Sequence, residues 1–383
     1  MKGKKSSWLG GACAIVAMLW VAGNVGEAGT YTVTDITLGG AYSWAYGINA
    51  SGQVVGYSYT TGGAGHAFLY SGGTTTDLGT LNPLALPSLS VAYGINAGGQ
   101  IVGYSGFSSN TAFLYSGSGP MTGLGNLPGG NFSVANGINA SGQIVGYAAT
   151  ATAPNYDAFL YNSGSATPTM IDLGTLPGGS HSVANGINAG GQIVGYGDNA
   201  TYGQVAFLYS GGTMSPLGTL GGGDSWANAI NDSGQVVGAS NLTGNAASHA
   251  FLYSGGVMTD LGTLGRNSEA LAINNDGDVV GDSVLSNGNE DAFLYSGGVM
   301  TDLNTMIVGP SSVGWQLEEA TGINNEGQIV GYGLYSPRPY AYYTQAFLLT
   351  PTAVPEPISM ILFGTGLVGV VGYVSRRRML RKA

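Results

Sequence analysis

This 383-residue sequence is poor in the residue types on which most protein chemistry depends. It holds one cysteine, Cys13, three histidines and only 8% charged residues. A single cysteine closes no disulfide within the chain and builds no Cys-based metal site. Basic residues are scarcer still in the body of the chain. Between Thr30 and Thr350 only Arg266 and Arg338 stand against 18 acidic residues. A body of that charge cannot neutralise phosphates, which argues against nucleic acid as a partner. An anionic membrane surface would repel it too. His66, His181 and His249 form no His-x-x-x-His pattern, and no serine sits in Gly-x-Ser-x-Gly. The expectation is therefore no catalytic residue, no metal site and no cofactor. Asn274-Asn275-Asp276-Gly277-Asp278 looks like part of a calcium loop. It aligns, however, with an ordinary turn of its sister segments and lacks EF-hand spacing.

Long apolar runs occur only at the two ends. Lys2, Lys4 and Lys5 precede an apolar stretch from Trp8 to Gly23, and Gly26-Glu27-Ala28 supplies a small-x-small cleavage pattern. Residues 1–28 thus read as an export signal. At the other end Val354-Pro355-Glu356-Pro357 leads into an apolar run, Ile358 to Val374, closed by Ser375 and Arg376, Arg377 and Arg378. A helix over 358–374 spans ~26 Å, enough to cross a bilayer core. The arginines should stay cytoplasmic, leaving everything before Pro355 outside. Segment 354–383 resembles the PEP-CTERM sorting signal of Gram-negative bacteria that make extracellular polysaccharide. That resemblance implies recognition at Pro355, Glu356 and Pro357 by an exosortase-type membrane enzyme. The helix would then hold the protein in the membrane only transiently, before its transfer to the cell surface or the extracellular space.

What the sequence has in abundance is glycine, 69 residues without a Gly-X-Y period. It also repeats. A phrase of the form Gly-Ile-Asn…Gly-Gln-Val/Ile-Val-Gly recurs seven times, its isoleucines at Ile48, Ile95, Ile138, Ile187, Ile230, Ile273 and Ile323. Each copy is followed by Ala-Phe-Leu-Tyr, or in the last case Ala-Phe-Leu-Leu at Phe347. Every unit offers four short strands, as in Ser43–Asn49, Gln53–Tyr57, Ala67–Tyr70 and Thr76–Leu81, with a tight Asn-Ala-Ser-Gly turn between the first two. Four strands per unit in seven units predict an all-β, seven-bladed propeller over residues 31–350. After the signal the chain opens on a fourth-strand phrase, Tyr31 to Gly40, while the last unit lacks a fourth strand. The N-terminal strand is expected to complete the final blade and close the ring, hiding both sheet edges. A ring of fewer blades with an irregular last unit is the weaker alternative. The units resemble the HAF family of extracellular repeats, whose His-Ala-Phe phrase stands in full at His66-Ala67-Phe68 and His249-Ala250-Phe251. That resemblance implies location and architecture and assigns no catalytic residue.

A residue shared by every unit serves the scaffold, so function is sought among the departures. The second–third loops vary in length and content, which marks the binding face of a repeat protein. They carry Tyr59, Phe107, Tyr156, Tyr202 and, in the last unit, Tyr335, Pro337, Arg338, Pro339, Tyr340, Tyr342 and Tyr343. Tyr335, Arg338, Tyr340, Tyr342 and Tyr343 are the candidate ligand face, since aromatics beside hydroxyls and amides suit sugar rings. Packing of the long loop explains the same tyrosines. One slot of the first strand is filled in turn by Trp44, Val91, Val134, Val183, Trp226, Glu269 and Glu319. These residues either shape the channel opening or fill gaps between blades. The pairs Glu290/Asp291 and Glu318/Glu319 read as solvated loop charge, and the slot before Ala-Phe, which tolerates His, Thr, Asp, Val and Gln, reads as surface. The expected function is that of an exported, non-enzymatic interaction, adhesion or matrix component, with carbohydrate binding as one form that it could take. The alternative is a propeller lyase or hydrolase acting on extracellular polysaccharide.

Overall fold

The computed structural model describes residues 29–84, 89–106, 109–151, 155–200, 203–338 and 341–352. The export signal, the sorting segment with its Pro355, Glu356 and Pro357, and Phe107, Tyr202, Pro339 and Tyr340 lie outside the described residues. Among those described, no helix is long and apolar enough to cross a membrane.

The strands form seven four-stranded sheets, each in simple sequential order except the last. Blade 1 runs through Gly39–Ile48, Val54–Thr60, Gly65–Ser71 and Thr74–Asp77. Blade 7 takes three strands from the end of the chain, Trp315–Ile323, Ile329–Arg338 and Ala341–Pro351. Its outermost strand is Tyr31–Ile36, antiparallel to the last, with Val33 opposite Leu349 and Ile36 opposite Ala346. The ring is closed by the strand Tyr31–Ile36, and the alternative of fewer blades is overturned.

The repeated phrases explain themselves once neighbouring blades are in view. Val54 faces blade 7, packing with Phe68 against Val330 and Ala346. Val55 faces the other way, packing with Ala67 against Phe113 of blade 2. The same arrangement recurs at each interface, so all seven phenylalanines are fully buried. Each such ring contributes about 1.5–3 kcal/mol through burial. Gly56 follows the valine pair because the first strand bulges between Ala45 and Gly47. A Cβ at Gly56 would overlap the Trp44 carbonyl, and the equivalent clash recurs in the other six blades. In the turn, Gly52 has φ +72°, a left-handed conformation suited to glycine.

Two sets of side chains staple blade to blade. In blades 1 to 6 a buried serine bridges to the preceding blade: Ser90 accepts from Ala67 N at 2.8 Å and donates to the Gly79 carbonyl. Blade 7 has Glu318 at this position and uses another device. Asn304 donates to the Leu317 carbonyl at 2.9 Å and accepts from Leu317 N at 2.7 Å. The second set is the turn asparagines, which are buried in all seven units. The oxygen of Asn49 accepts from Ser51 N and Gln53 N, both at 3.0 Å, while its amide donates to Gln53 at 2.7 Å and to the Asn96 carbonyl at 3.1 Å. Asn96, Asn139, Asn188, Asn231, Asn274 and Asn324 repeat the inter-blade step, and Asn324 returns to Asn49. In Asn274-Asn275-Asp276-Gly277-Asp278 the Asp278 carboxylate takes the place of the usual Gln and accepts from the Asn274 amide at 3.3 Å. The calcium-like phrase is thus an ordinary member of this ring.

Candidate functional site

The turn face is uniform because its asparagine ring is uniform. The opposite face carries the second–third loops and the links between blades, and here each blade differs. One rim slot shows this directly. It holds Tyr42 beside Tyr59 in blade 1, Phe132 near Ala149 in blade 3, His181 on Asp198 in blade 4 and Asp224 on Asn241 in blade 5.

At the junction of blades 7 and 1 this slot anchors an aromatic array. Tyr42 lies 6.2 Å from Trp44, 6.0 Å from Tyr59 and 6.4 Å from Tyr343 between ring centroids. Trp44 continues to Tyr57 at 5.4 Å. Tyr343 is half of a cross-strand pair with Tyr335, in the long hairpin that blade 7 projects on this face. Tyr335 itself stacks on Trp315 at 4.9 Å. Of the candidate ligand face, then, Tyr335 serves to pack the hairpin, whereas Arg338, Tyr342 and Tyr343 are exposed. Tyr340 lies outside the described residues.

The bore of the ring encloses a cavity of about 440 Å³ lined by one or more residues of each first strand, among them Tyr46, Tyr93, Asn136, Asn185, Asn228 and Glu319. Tyr46 and Tyr93 pack ring on ring at 5.2 Å, and burial pushes the Tyr46 hydroxyl up to about 12. Several of the others bond across blades, such as the Asn136 amide to the Ala184 carbonyl and Asn185 to that of Ala227, both at 2.9 Å. Carboxylates gather where blades 6 and 7 meet. Glu269 faces Asp282 across its blade, and Glu319 faces Tyr332. Asn228 donates to Glu269 at 2.8 Å, and the Tyr332 hydroxyl donates to Glu319. Burial, then the charges of Glu269 and Glu319, push the Asp282 carboxyl up to about 9. Burial raises Glu319 to about 7, against the hydrogen bond from Tyr332. At neutral pH the group therefore holds protons that exposed carboxyls would release.

These findings correct two expectations. Glu319 is not solvated loop charge, and Asp291, in the other pair, is only 6% exposed. The slot before Ala-Phe is not a surface position either. Val205, Asp291 and Gln345 are each 6% exposed there, because the neighbouring blade covers it. His66 and His249 occupy the same slot and pair with Asp77 and Asp260 at 2.9 and 3.0 Å. In blade 3 the slot holds Asp157, whose Oδ1 is buried without a hydrogen-bond partner. Burial and then the nearby Asp172 charge raise its carboxyl to about 6. For the Trp slot, packing prevails over an open channel rim. Val91, Val134 and Val183 are buried, and the indole of Trp226 donates to Gln204 at 2.5 Å.

A pocket that the repeat pattern does not reveal lies on the loop side of blade 4, where Gly178, Ser180, His181, Asp198, Asn199, Ala200, Gly203 and Gln204 enclose about 520 Å³. Its residue types suggest a Ser-His-Asp triad, but the geometry is different. Ser180 donates its hydroxyl to Asp198 at 2.7 Å and makes no bond to the imidazole. A hydroxyl activated for attack must give its proton to the histidine. Asp198 instead collects the Ser180 hydroxyl, the Ser180 and His181 backbone N–H groups at 2.8 Å and the His181 ring at 3.2 Å. Those hydrogen bonds hold its carboxyl below the usual carboxylate range despite partial burial, which acts in the opposite sense. His181 also meets the ring of Tyr156 in blade 3 at 5.1 Å. The signal available in the sequence was the pair Ser180-His181, polar where blade 3 has Asn131-Phe132.

Comparison with known proteins adds one element. Residues 353–378 match the PEP-CTERM protein-sorting motif. The PEP-CTERM match marks the chain for export and surface sorting, and it covers the region that the sequence assigned to this role. No curated protein matches the chain. Among solved structures, a mutant of AofleA from Arthrobotrys oligospora superposes with a TM-score of 0.41 at 10% identity, over 71% of this chain and 88% of that one. The Aleuria aurantia lectin, described as a fungal lectin with a six-bladed propeller and a novel fucose recognition mode, gives 0.35 at 13%, over 85% and 97%. TM-scores this low do not establish a shared fold.

Proposed function

We propose that this chain is an exported, surface-sorted propeller whose loop face binds extracellular carbohydrate without turning it over. The PEP-CTERM match supports export and processing by an exosortase-type enzyme, and the phrases at His66 and His249 support kinship with extracellular HAF repeats. The observation that carries the binding reading is the aromatic array of Tyr42, Trp44, Tyr57, Tyr59 and Tyr343, with Tyr42 and Tyr343 both exposed. Ring faces beside phenolic hydroxyls offer a sugar both stacking and hydrogen bonds. The acidic body favours neutral over anionic polysaccharide.

The experiment is retention of the host's own extracellular polysaccharide by the purified protein, parent against a Tyr42→Ala/Tyr343→Ala double variant. At least a tenfold loss is expected in the variant, and equal retention would set the aromatic array aside. A second reading draws on the carboxylates where blades 6 and 7 meet, since a protonated Asp282 beside Glu319 has the makings of an acid and a base. Shortened chains or new unsaturated ends in the same incubation would favour that enzyme over a binding module.

A further inference from the structure

We infer that the pocket of blade 4 is a discrete subsite for a single neutral, hydroxyl-rich ring, a reading that rests on the carbohydrate function proposed for this face. The pocket is separate from the aromatic array, which lies at the junction of blades 7 and 1. Its volume of about 520 Å³ falls in the range of small-molecule sites.

The polar groups in it are already oriented by the protein. Asp198 has both oxygens engaged by Ser180 and His181, so it fixes the imidazole and leaves Nε2 facing away from the carboxylate. Gln204 is held from the other side, its Oε1 taken by the indole N–H of Trp226 in blade 5 and its backbone N–H bound to Asp224 at 2.9 Å. The amide orientation follows from that bond, and it turns Nε2 toward His181. The two nitrogens stand 3.5 Å apart, at the outer limit of a hydrogen bond. Two pre-oriented nitrogens that bond each other weakly are each open to a ligand hydroxyl. Gln204 donates, and the imidazole nitrogen accepts or donates according to its protonation. A vicinal diol satisfies both at once, and a sugar ring carries one.

Charge selects against acidic rings. Asp157, Asp172 and Asp198 lie around His181, and Asp224 lies behind Gln204. Among the described residues the only arginines are Arg266 and Arg338, in blades 6 and 7. A carboxylate or sulfate on the ring would therefore meet net negative charge. Glycines complete the fit. A Cβ at Gly203 would come 2.6 Å from the Gly223 carbonyl, so the pocket wall has no side chain at that point.

The test uses the full chain in detergent and the ring protons of its three histidines as reporters. Methyl gluco-, galacto- and mannopyranoside are titrated one by one, with methyl glucopyranosiduronate as the charged counterpart. At least one neutral glycoside should move the His181 resonance saturably while His66 and His249 stay still, and Gln204→Ala should weaken that response at least tenfold. No selective movement of His181 by any neutral glycoside would overturn the subsite. So would a response unchanged in Gln204→Ala, or an equal or tighter response to the uronate. Should the subsite fail while polysaccharide is still retained through Tyr42 and Tyr343, the proposed function stands and only this pocket falls. The resonance assay needs no variant, so a misfolded Gln204→Ala protein leaves the first criterion decisive.

Discussion

The side-chain amide of Asn324 donates to the backbone carbonyl of Asn49 at 3.1 Å, joining residues 275 positions apart. That bond is the last of seven identical steps, and it turns a linear repeat into a closed circuit on one face of the disc. Each asparagine ties down its own turn and grips the next blade with the same side chain.

Breaking one link should therefore cost more than losing a turn cap. Asn324→Ala removes the inter-blade donor to the buried Asn49 carbonyl, which keeps only the Gly52 N–H, and leaves the Gln328 N–H and side-chain oxygen without their partner, a loss of about 1–3 kcal/mol. Asn96→Ala should cost at least as much, because its bonds repeat those of Asn324 and add one from the Gly98 N–H. Urea denaturation of the two variants beside the parent measures this. A midpoint unchanged in Asn324→Ala would mean that the circuit does not govern stability.

Closure by the N-terminal strand makes an equally direct prediction. Ile36 is fully buried against Ala45, Val54 and Phe68 of blade 1 and Val330 and Ala346 of blade 7, so it serves two blades at once. Ile36→Ala should destabilise the whole protein by about 2–5 kcal/mol, in a single cooperative transition. Thr32→Ala on the same strand, at an exposed position, should change little. Thermal unfolding followed by circular dichroism distinguishes the two, and equal midpoints would indicate that the strand is dispensable.

Much of this was legible because propeller interfaces repeat. Val54 and Val55, the following glycine and Ala-Phe all answer to one geometry that recurs seven times, so period alone exposes it. The unpaired strand phrase at Tyr31–Ile36 was legible for the same reason, as a unit out of phase. The pocket was not, because its contacts join different slots both within blade 4 and across to its neighbours: Tyr156 of blade 3 to His181, His181 to Gln204, Gln204 to Trp226 of blade 5. No repeat spacing relates those positions; strand pairing inside blade 4 and the rotation between blades do. The carboxylates misled for another reason. Glu319 stood in a visible ring slot, but its charge state depends on burial and on Glu269 one blade away, which sequence neighbours do not report.

That carboxylate group gives a pH dependence with a definite sign. Asp282 and Glu319 have folded-state values of about 9 and about 7, while unfolded carboxyls titrate near 4. Between those limits the folded protein binds protons that the unfolded chain has released. Their stabilising contribution is complete below about pH 4 and fades as pH rises through 7 and 9. The unfolding free energy should fall steadily between pH 5.5 and 9. Asp282→Asn, which cannot ionise, should flatten the profile and be the more stable protein at pH 9. A parent whose stability rises across this range would contradict the assignment.

The turn face also shows where the ring is unfinished. One residue past each ring asparagine, Asp232 caps the Ala189 N–H at 2.9 Å, Asn275 caps Asp232 at 3.0 Å, and Asn325 caps Asn275 at 2.9 Å. Further round, the corresponding neighbours are Ala50, Ala97, Ala140 and Ala189, whose side chains have no oxygen to offer. Ala140→Asn should place an amide oxygen where the Ala97 N–H points, as Asn275 does for Asp232. Asparagine is chosen over aspartate because the body is already acidic. The position is exposed and accepts Asp or Asn in three sister blades, so neither strain nor burial opposes the change. One added hydrogen bond is worth about 0.5–1.5 kcal/mol. The unfolding midpoint in urea should rise accordingly, and rise again when Ala97→Asn is added to cap Ala50. If both variants unfold with the parent, water already satisfies these N–H groups as well as a neighbouring side chain would.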